Sequence, residues 1–317
     1  MNRLKSAEDK EFGLGVLYAI LAYSSWGILP LYWKLVDTVP ASEILMHRIF
    51  WSFFFLIFVL IITSRWAQFI NEFKRITKNK ISMLLILAAA ILITANWFIY
   101  IWAVNNEQTV EASLGYYINP LVSVLLGVIV LKEIFAFWQG ISFFIAGIGV
   151  FILTIQFGGI PWVALGLAFT FGFYGLVKKM AKLGPIVSLT IETMLMVPIA
   201  LIYLSSLQIT GEAAFANSSF FITVVLIGAG VITAMPLLWF AESTARIPLY
   251  MVGFFQYIAP TIQLVLAIFL FKEPFSTVHL VSFSFIWIAL LLFSCAKTKP
   301  MLRLQHKMIK KKTVHTT

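Results

Sequence analysis

Ten separate stretches of this 317-residue chain are each long and apolar enough to cross a lipid bilayer, and that fact constrains every later step. A hydrocarbon core about 30 Å thick needs roughly 20 apolar helical residues to span it. The stretches lie at approximately 13–33, 43–63, 81–103, 112–131, 136–155, 161–178, 185–206, 219–240, 247–271 and 277–296. No connection between them is long enough for a folded soluble domain, so any chemistry must sit inside the helix bundle. Composition agrees: 61% of residues are apolar and 11% charged, against about 25% charged in ordinary globular domains. A single cysteine, Cys295, leaves no disulfide framework and no multi-cysteine metal site. The expected fold class is an all-α polytopic membrane protein with ten transmembrane helices.

Cytoplasmic loops carry an excess of Lys and Arg. With ten spans and both termini cytoplasmic, 20 of the 23 basic residues fall on one side. They occupy the N-terminal tail (1–12), the loop from Arg65 to Lys80, Lys132, the trio Lys178, Lys179 and Lys182, Arg246, and the C-terminal tail (297–317). The opposite loops hold Asp37, Glu107, Glu111 and Glu212, with Lys272 as the basic exception. The net charge of +10 is therefore read as topology and not as a nucleic-acid site. The C-terminal tail, with seven basic residues and no acid, is expected to touch anionic lipid heads. The charged start and first apolar run read as an uncleaved helix, since no small-residue cleavage site follows.

Residues 112–133 align without gaps to 252–273. Tyr-Ile-x-Pro recurs at 117–120 and 257–260, and Lys-Glu at 132–133 and 272–273. The chain thus reads as two five-helix halves, 13–155 and 161–296. An odd number of crossings per half threads the second in the opposite sense, which places Lys272 on the other face. Inverted repeats are an architecture of secondary transporters, whose sites lie near mid-membrane beside Gly/Pro-interrupted helices. Pro120 and Pro260 form such a matched pair.

Span four carries Tyr116, Asn119, Ser123 and Gly127 on one helical stripe, and span nine answers with Gln256, Ala259 and Gln263. A proline frees the carbonyl four residues back, and in lipid that group needs a partner. Cavity lining and interhelical glue are both open readings of this stripe. Asn96, Trp97 and Tyr100 in span three join Trp26, Tyr174 and Trp239 as an aromatic set suited to an amphipathic solute. With Tyr116, Asn119, Pro120, Ser123, Gln256, Tyr257, Pro260 and Gln263, they make up the expected substrate site.

Charged groups within spans cost about 2.5 kcal/mol or more at mid-bilayer and are functional candidates by default. His47 and Arg48 in span two and Glu192 in span seven qualify. One reading has Glu192 and His47 titrating to couple transport to protons. The other has Arg48 snorkelling to the headgroups and Glu192 paired for packing. There is no phosphate loop, H-E-x-x-H pair or nucleophile elbow, so no cofactor, metal site or enzymatic chemistry is expected.

The run NWFIYIWAVNNEQTVEASLGYYINPLVSVLLG at 96–127 resembles the RarD-type branch of the EamA family, in the drug/metabolite transporter superfamily. So do SEILMHRIFWS at 42–52, GLAFTFGFYGLVKK at 166–179, LTIET at 189–193 and GFFQYIAPT at 253–261. The resemblance implies a bacterial inner-membrane transporter of ten helices built as two inverted EamA repeats, usually an exporter of metabolites, amino acids or drugs. The expected function is a secondary carrier that moves a small amphipathic molecule outward by alternating access. The alternative is a passive uniporter or channel-like facilitator of the same fold, and a less favoured one is an intramembrane enzyme.

Overall fold

The computed structural model describes residues 2–105, 109–134, 136–158, 160–270 and 277–296, together with 298, 301, 302 and 305. The second Lys-Glu pair, Lys272-Glu273, and most of the basic tail lie outside the described residues. Among the described residues all regular structure is helical. The elements begin with α1 (Asn2–Trp33), α2 (Ala41–Ile62), α3 (Trp66–Lys78) and α4 (Lys80–Asn105). Next come α5 (Thr109–Ile129), α6 (Phe137–Phe157), α7 (Trp162–Ala181) and α8 (Pro185–Thr210). The chain continues through α9 (Phe220–Arg246), α10 (Leu249–Phe255), α11 (Ile258–Phe269) and α12 (Thr277–Cys295). The ten expected crossings are α1, α2, α4 to α9, the α10–α11 pair and α12.

Local signals set the ends. Gly158 and Gly211 take left-handed φ of 80° and 75° just past α6 and α8, where glycine meets no Cβ penalty. Gly184-Pro185 opens α8, with proline in the first turn. The Ser219 hydroxyl accepts the Ile222 N–H and so caps the start of α9.

Two features depart from the sequence reading. First, the basic connection after α2 is itself a helix. In α3, Phe69 and Ile76 are buried, and together with Phe73 they pack against Leu60, Ile86, Val187 and Ile191. Thirteen residues cannot span a bilayer, so a search by span length reads the segment only as a charged loop. Second, the matched prolines act differently. Helix α5 runs unbroken through Pro120, whereas span nine breaks between α10 and α11. There the Gln256 carbonyl, denied an N–H by Pro260, accepts instead from Ala259 N at 3.3 Å.

The packing scheme maps onto itself when the helices of one half are exchanged for those of the other. Helix α7 packs on α4 and α5, and α1 packs correspondingly on α9 and α11. The α2–α9 contact is matched by α8–α4, while α2–α8, α6–α12 and α5–α10 each pair a helix with its own counterpart. These contacts all cross between the halves. The repeat in sequence is therefore an interleaved structure, in which the leading helix of each half packs against the third and fourth spans of the other.

Glycine permits the tightest of these crossings. The Ser52 hydroxyl donates to the Gly230 carbonyl at 2.9 Å, and a Cβ on Gly230 would run into the main chain of Trp51 and Ser52. Gly230→Ala should therefore destabilise the protein by about 1–3 kcal/mol, the usual cost of overpacking. Thermal unfolding of detergent-solubilised protein reads this directly. An unchanged midpoint would mean that α2 and α9 do not meet at this glycine.

Candidate functional site

At the face bearing the N-terminus, the halves are tied together by charged side chains. The Glu133 carboxylate accepts from Leu249 N at 2.8 Å and from Tyr250 N at 2.9 Å, at the start of α10. Gly127 leaves room for it, since a Cβ there would lie 2.5 Å from Glu133 Oε2. Lys179 Nζ donates to the carbonyls of Thr244 at 3.1 Å and Ile247 at 2.5 Å, and it stands 3.8 Å from Glu133. Arg246 bridges Glu242 on its own helix and Glu11 on α1. Trp138 Nε1 donates to the Met301 carbonyl at 3.0 Å and brings the C-terminal residues to this same face.

One layer deeper lies a second cluster. Glu192 is 2% exposed and pairs with Lys178 Nζ at 2.7 Å. The Ser188 hydroxyl donates to Glu192 Oε1 at 2.6 Å, and Tyr174 donates to Oε2 at 3.1 Å. Lys178 also donates to Ser188 at 2.9 Å. Tyr174 stacks on Phe240 with ring centroids 5.8 Å apart. Phe171, Trp26 and Tyr23 extend the aromatic layer around Phe240. Farther in, near Trp97, Glu192 and Thr193, only about 10 Å³ remains free, the size of a single water.

His47 sits toward the opposite face. Its Nδ1 accepts from Trp51 Nε1 at 3.2 Å, its ring lies over Phe215 at 4.7 Å, and its Nε2 is 3.8 Å from Glu43. Glu43 in turn accepts from the backbone N–H groups of Ala214 and Phe215. This arrangement ties α2 to the α8–α9 connection. His47 and Glu192 thus lie in unlike surroundings and are not brought together.

Arg48, the next residue, points into the bundle. Its Nε donates to Thr233 Oγ1 at 2.9 Å, and Thr233 stands thirteen residues from each end of α9. A snorkelling side chain would reach for the headgroups; this one reaches the middle of its neighbour. The guanidinium carbon lies 5.0 Å from the Trp33 ring centroid and 5.5 Å from that of Trp97. Tyr100 and Tyr116 are within its electrostatic reach, and their rings are 6.2 Å apart. Tyr116 is 40% exposed. One and two turns on, the same helical stripe carries Pro120 and Ser123, which face Gly253 of α10.

The remaining expected site residues divide by what they touch. Gln256 Nε2 donates to Ser123 Oγ at 2.9 Å across the α5–α10 crossing. Gln263 Nε2 donates to the Trp26 carbonyl at 3.1 Å. That carbonyl is freed by Pro30, four residues on in α1. The niche of carbonyl and amide foreseen at Pro120 and Pro260 therefore exists, but at a different proline. Asn96 Nδ2 joins α4 to α7 through the Leu167 carbonyl and Thr170 Oγ1, both at 2.9 Å, so it acts as glue. Asn119 Oδ1 and the Tyr257 hydroxyl are buried with no partner among the described residues. Trp239 lines a groove of about 530 Å³ between α1 and α9, whose lining does not include Arg48.

Sequence reasoning missed Lys178, Thr233, Trp33 and Glu133. Lys178 and Glu133 were counted as loop charges. The four-residue spacing of Ser188 and Glu192 was the available signal for the inner cluster. Among the described residues no group of three or more His, Cys, Asp or Glu side chains could hold a metal ion.

Residues 13–155 match the EamA-like transporter family. The chain is 48% identical over 296 residues to "Uncharacterized transporter YojE" of Bacillus subtilis (strain 168), covering 93% of this chain and 97% of that one. It is 43% identical over 286 residues to "Protein RarD" of Escherichia coli (strain K12), covering 90% and 95%. A solved crystal structure, 13% identical, superposes with a TM-score of 0.68 over 90% of this chain and 98% of its own. At that identity it speaks to the fold alone.

Proposed function

The chain belongs to the EamA-like transporter family, among relatives that include proteins named RarD, and on that premise we propose a secondary carrier for a small amphipathic solute working by alternating access. The reading puts the N-terminal face in the cytoplasm of a bacterial inner membrane, following the excess of basic residues on that side. The net direction of transport is outward, and the basic C-terminal tail rests on anionic lipid.

One observation carries the proposal: the N-terminal face is closed. The cytoplasmic face is held by Glu133, Lys179 and Arg246 and sealed beneath by the Tyr174–Phe240 aromatic layer. Toward the other face, where Glu43 ties α2 to the α8–α9 connection, Tyr116 is 40% exposed near Arg48. That is the shape of a carrier in an outward-open state, and exchange of the two halves would produce its inward-open counterpart.

A second reading, a passive uniporter of the same fold, is favoured by Glu192. With Lys178, Ser188 and Tyr174 all engaged, that carboxylate is accounted for by contacts that join α7 to α8. Counterflow in liposomes separates the readings. A carrier gives counterflow of preloaded solute, and proton coupling adds dependence on an imposed pH gradient. Removing both charges together, in Lys178→Met with Glu192→Leu, should leave counterflow within about threefold of wild type if the pair is structural. Loss of gradient dependence in that variant alone would restore proton coupling, and absence of any counterflow would remove the carrier.

A further inference from the structure

We propose that Arg48, with Tyr100 and Tyr116 nearby, forms a binding site for the carboxylate of a small organic anion whose apolar body lies beside the Trp33 and Trp97 rings. The inference deepens the transport reading and rests on it for the site's place in the cycle, but the binding chemistry is independent of it.

The argument begins with charge. A guanidinium cannot lose its proton in a protein, so Arg48 remains cationic inside the membrane, where an unpaired charge is expensive. Its cost is normally met by a carboxylate. Among the described residues no Asp or Glu oxygen lies within 4.0 Å of Arg48. Aromatic faces supply what stabilisation there is, with the guanidinium carbon 5.0 Å from Trp33 and 5.5 Å from Trp97. Cation–π attraction steadies the cation without neutralising it. Thr233 occupies Nε and fixes the fork. No described residue accepts from either terminal nitrogen, and the hydroxyls of Tyr100 and Tyr116 donate to no described residue.

The two terminal guanidinium nitrogens therefore stand with no described acceptor, and two tyrosines lie within the cation's electrostatic reach. A planar two-oxygen anion satisfies such a fork bidentately. Elsewhere in this molecule every buried carboxylate of α2 and α8 is already claimed: Glu43 by backbone N–H groups, and Glu192 by Lys178. No described residue supplies the acceptor, and we assign that part to the solute. The rings flanking the guanidinium, Trp33 and Trp97, are aromatic, which favours an aryl or long-chain carboxylate over a small hydrophilic anion. Tyr116, 40% exposed, leaves the approach open.

The test uses the full chain in detergent, with 3-phenylpropionate as the probe and 3-phenylpropanamide as its neutral isostere. Binding is read by quenching of tryptophan fluorescence and by the shift in thermal midpoint. The carboxylate should quench and stabilise, and the amide should bind roughly 10- to 100-fold more weakly, as expected for loss of a charge-assisted pair. Arg48→Gln should lose the preference for carboxylate, while Arg48→Lys, a point charge without the fork, should retain part of it. Equal binding of the two probes by the unaltered protein overturns the proposal without any variant. So does an undiminished preference in Arg48→Gln. Counterflow by the unaltered protein together with equal binding of the two probes would leave the carrier standing while the anion site falls; absence of counterflow with an intact carboxylate preference would do the reverse.

Discussion

Lys178→Met should cost the folded protein about 3–5 kcal/mol, the usual result of leaving one member of a buried ion pair without the other. The stranded group is Glu192, 2% exposed, and Ser188 and Tyr174 cannot neutralise it. The double variant Lys178→Met with Glu192→Leu should recover most of that loss, because replacing both charges with apolar groups of similar volume is often neutral. A double-mutant cycle on thermal or denaturant unfolding in detergent measures the coupling. Additive losses from the two single changes would mean that the pair is not a unit and that its 2.7 Å contact does not organise the inner cluster.

Glu133→Ala should loosen the N-terminal side. The change strands the N–H groups of Leu249 and Tyr250 and removes the anion beside Lys179. Hydrogen bonds to charged groups contribute about 1.5–3 kcal/mol each, so even partial loss shifts a two-state equilibrium by roughly tenfold or more. Two readouts follow. Amide exchange at Leu249 and Tyr250 should accelerate. A cysteine at Val124, which is 1% exposed, should also react at least about tenfold faster with a water-soluble thiol reagent in a Cys295→Ser background. Labelling at the wild-type rate would show that Glu133 ties down α10 without controlling access from that face.

The legible part of this fold was whatever depends on length and composition. Ten apolar runs set ten crossings, and the Tyr-Ile-x-Pro repeat identified α5 and the α10–α11 pair as counterparts. Less legible was whatever depends on reach. Lys178 stands in a run of three basic residues that reads as loop charge, yet four methylenes carry its ammonium to Glu192 on the next helix. Arg48 reads as a snorkelling residue from its depth along α2, and only the position of Thr233 on another helix shows that it turns inward. Pro120 and Pro260 occupy matching positions and have different effects, because breaking a helix depends on what can satisfy the freed carbonyl nearby. Gln263 beside the carbonyl freed by Pro30 illustrates the same point, with partners 237 residues apart. Helix α3 was hidden for a simpler reason: thirteen residues with one apolar face look like a loop to any search for bilayer-length runs.

The crossing of partners between the halves has a consequence for biosynthesis. Helix α1 leaves the ribosome about 190 residues before α9, its main neighbour; at roughly 5–20 residues per second that is a wait of about 10–40 s. Through that interval the nascent first half holds Ser52 and the Tyr32 hydroxyl in or near lipid without the carbonyls of Gly230 and Val225 that later receive them. A chain halted after α6 would be not half a transporter but an unfinished surface, competent to insert and unable to close until the second half is supplied.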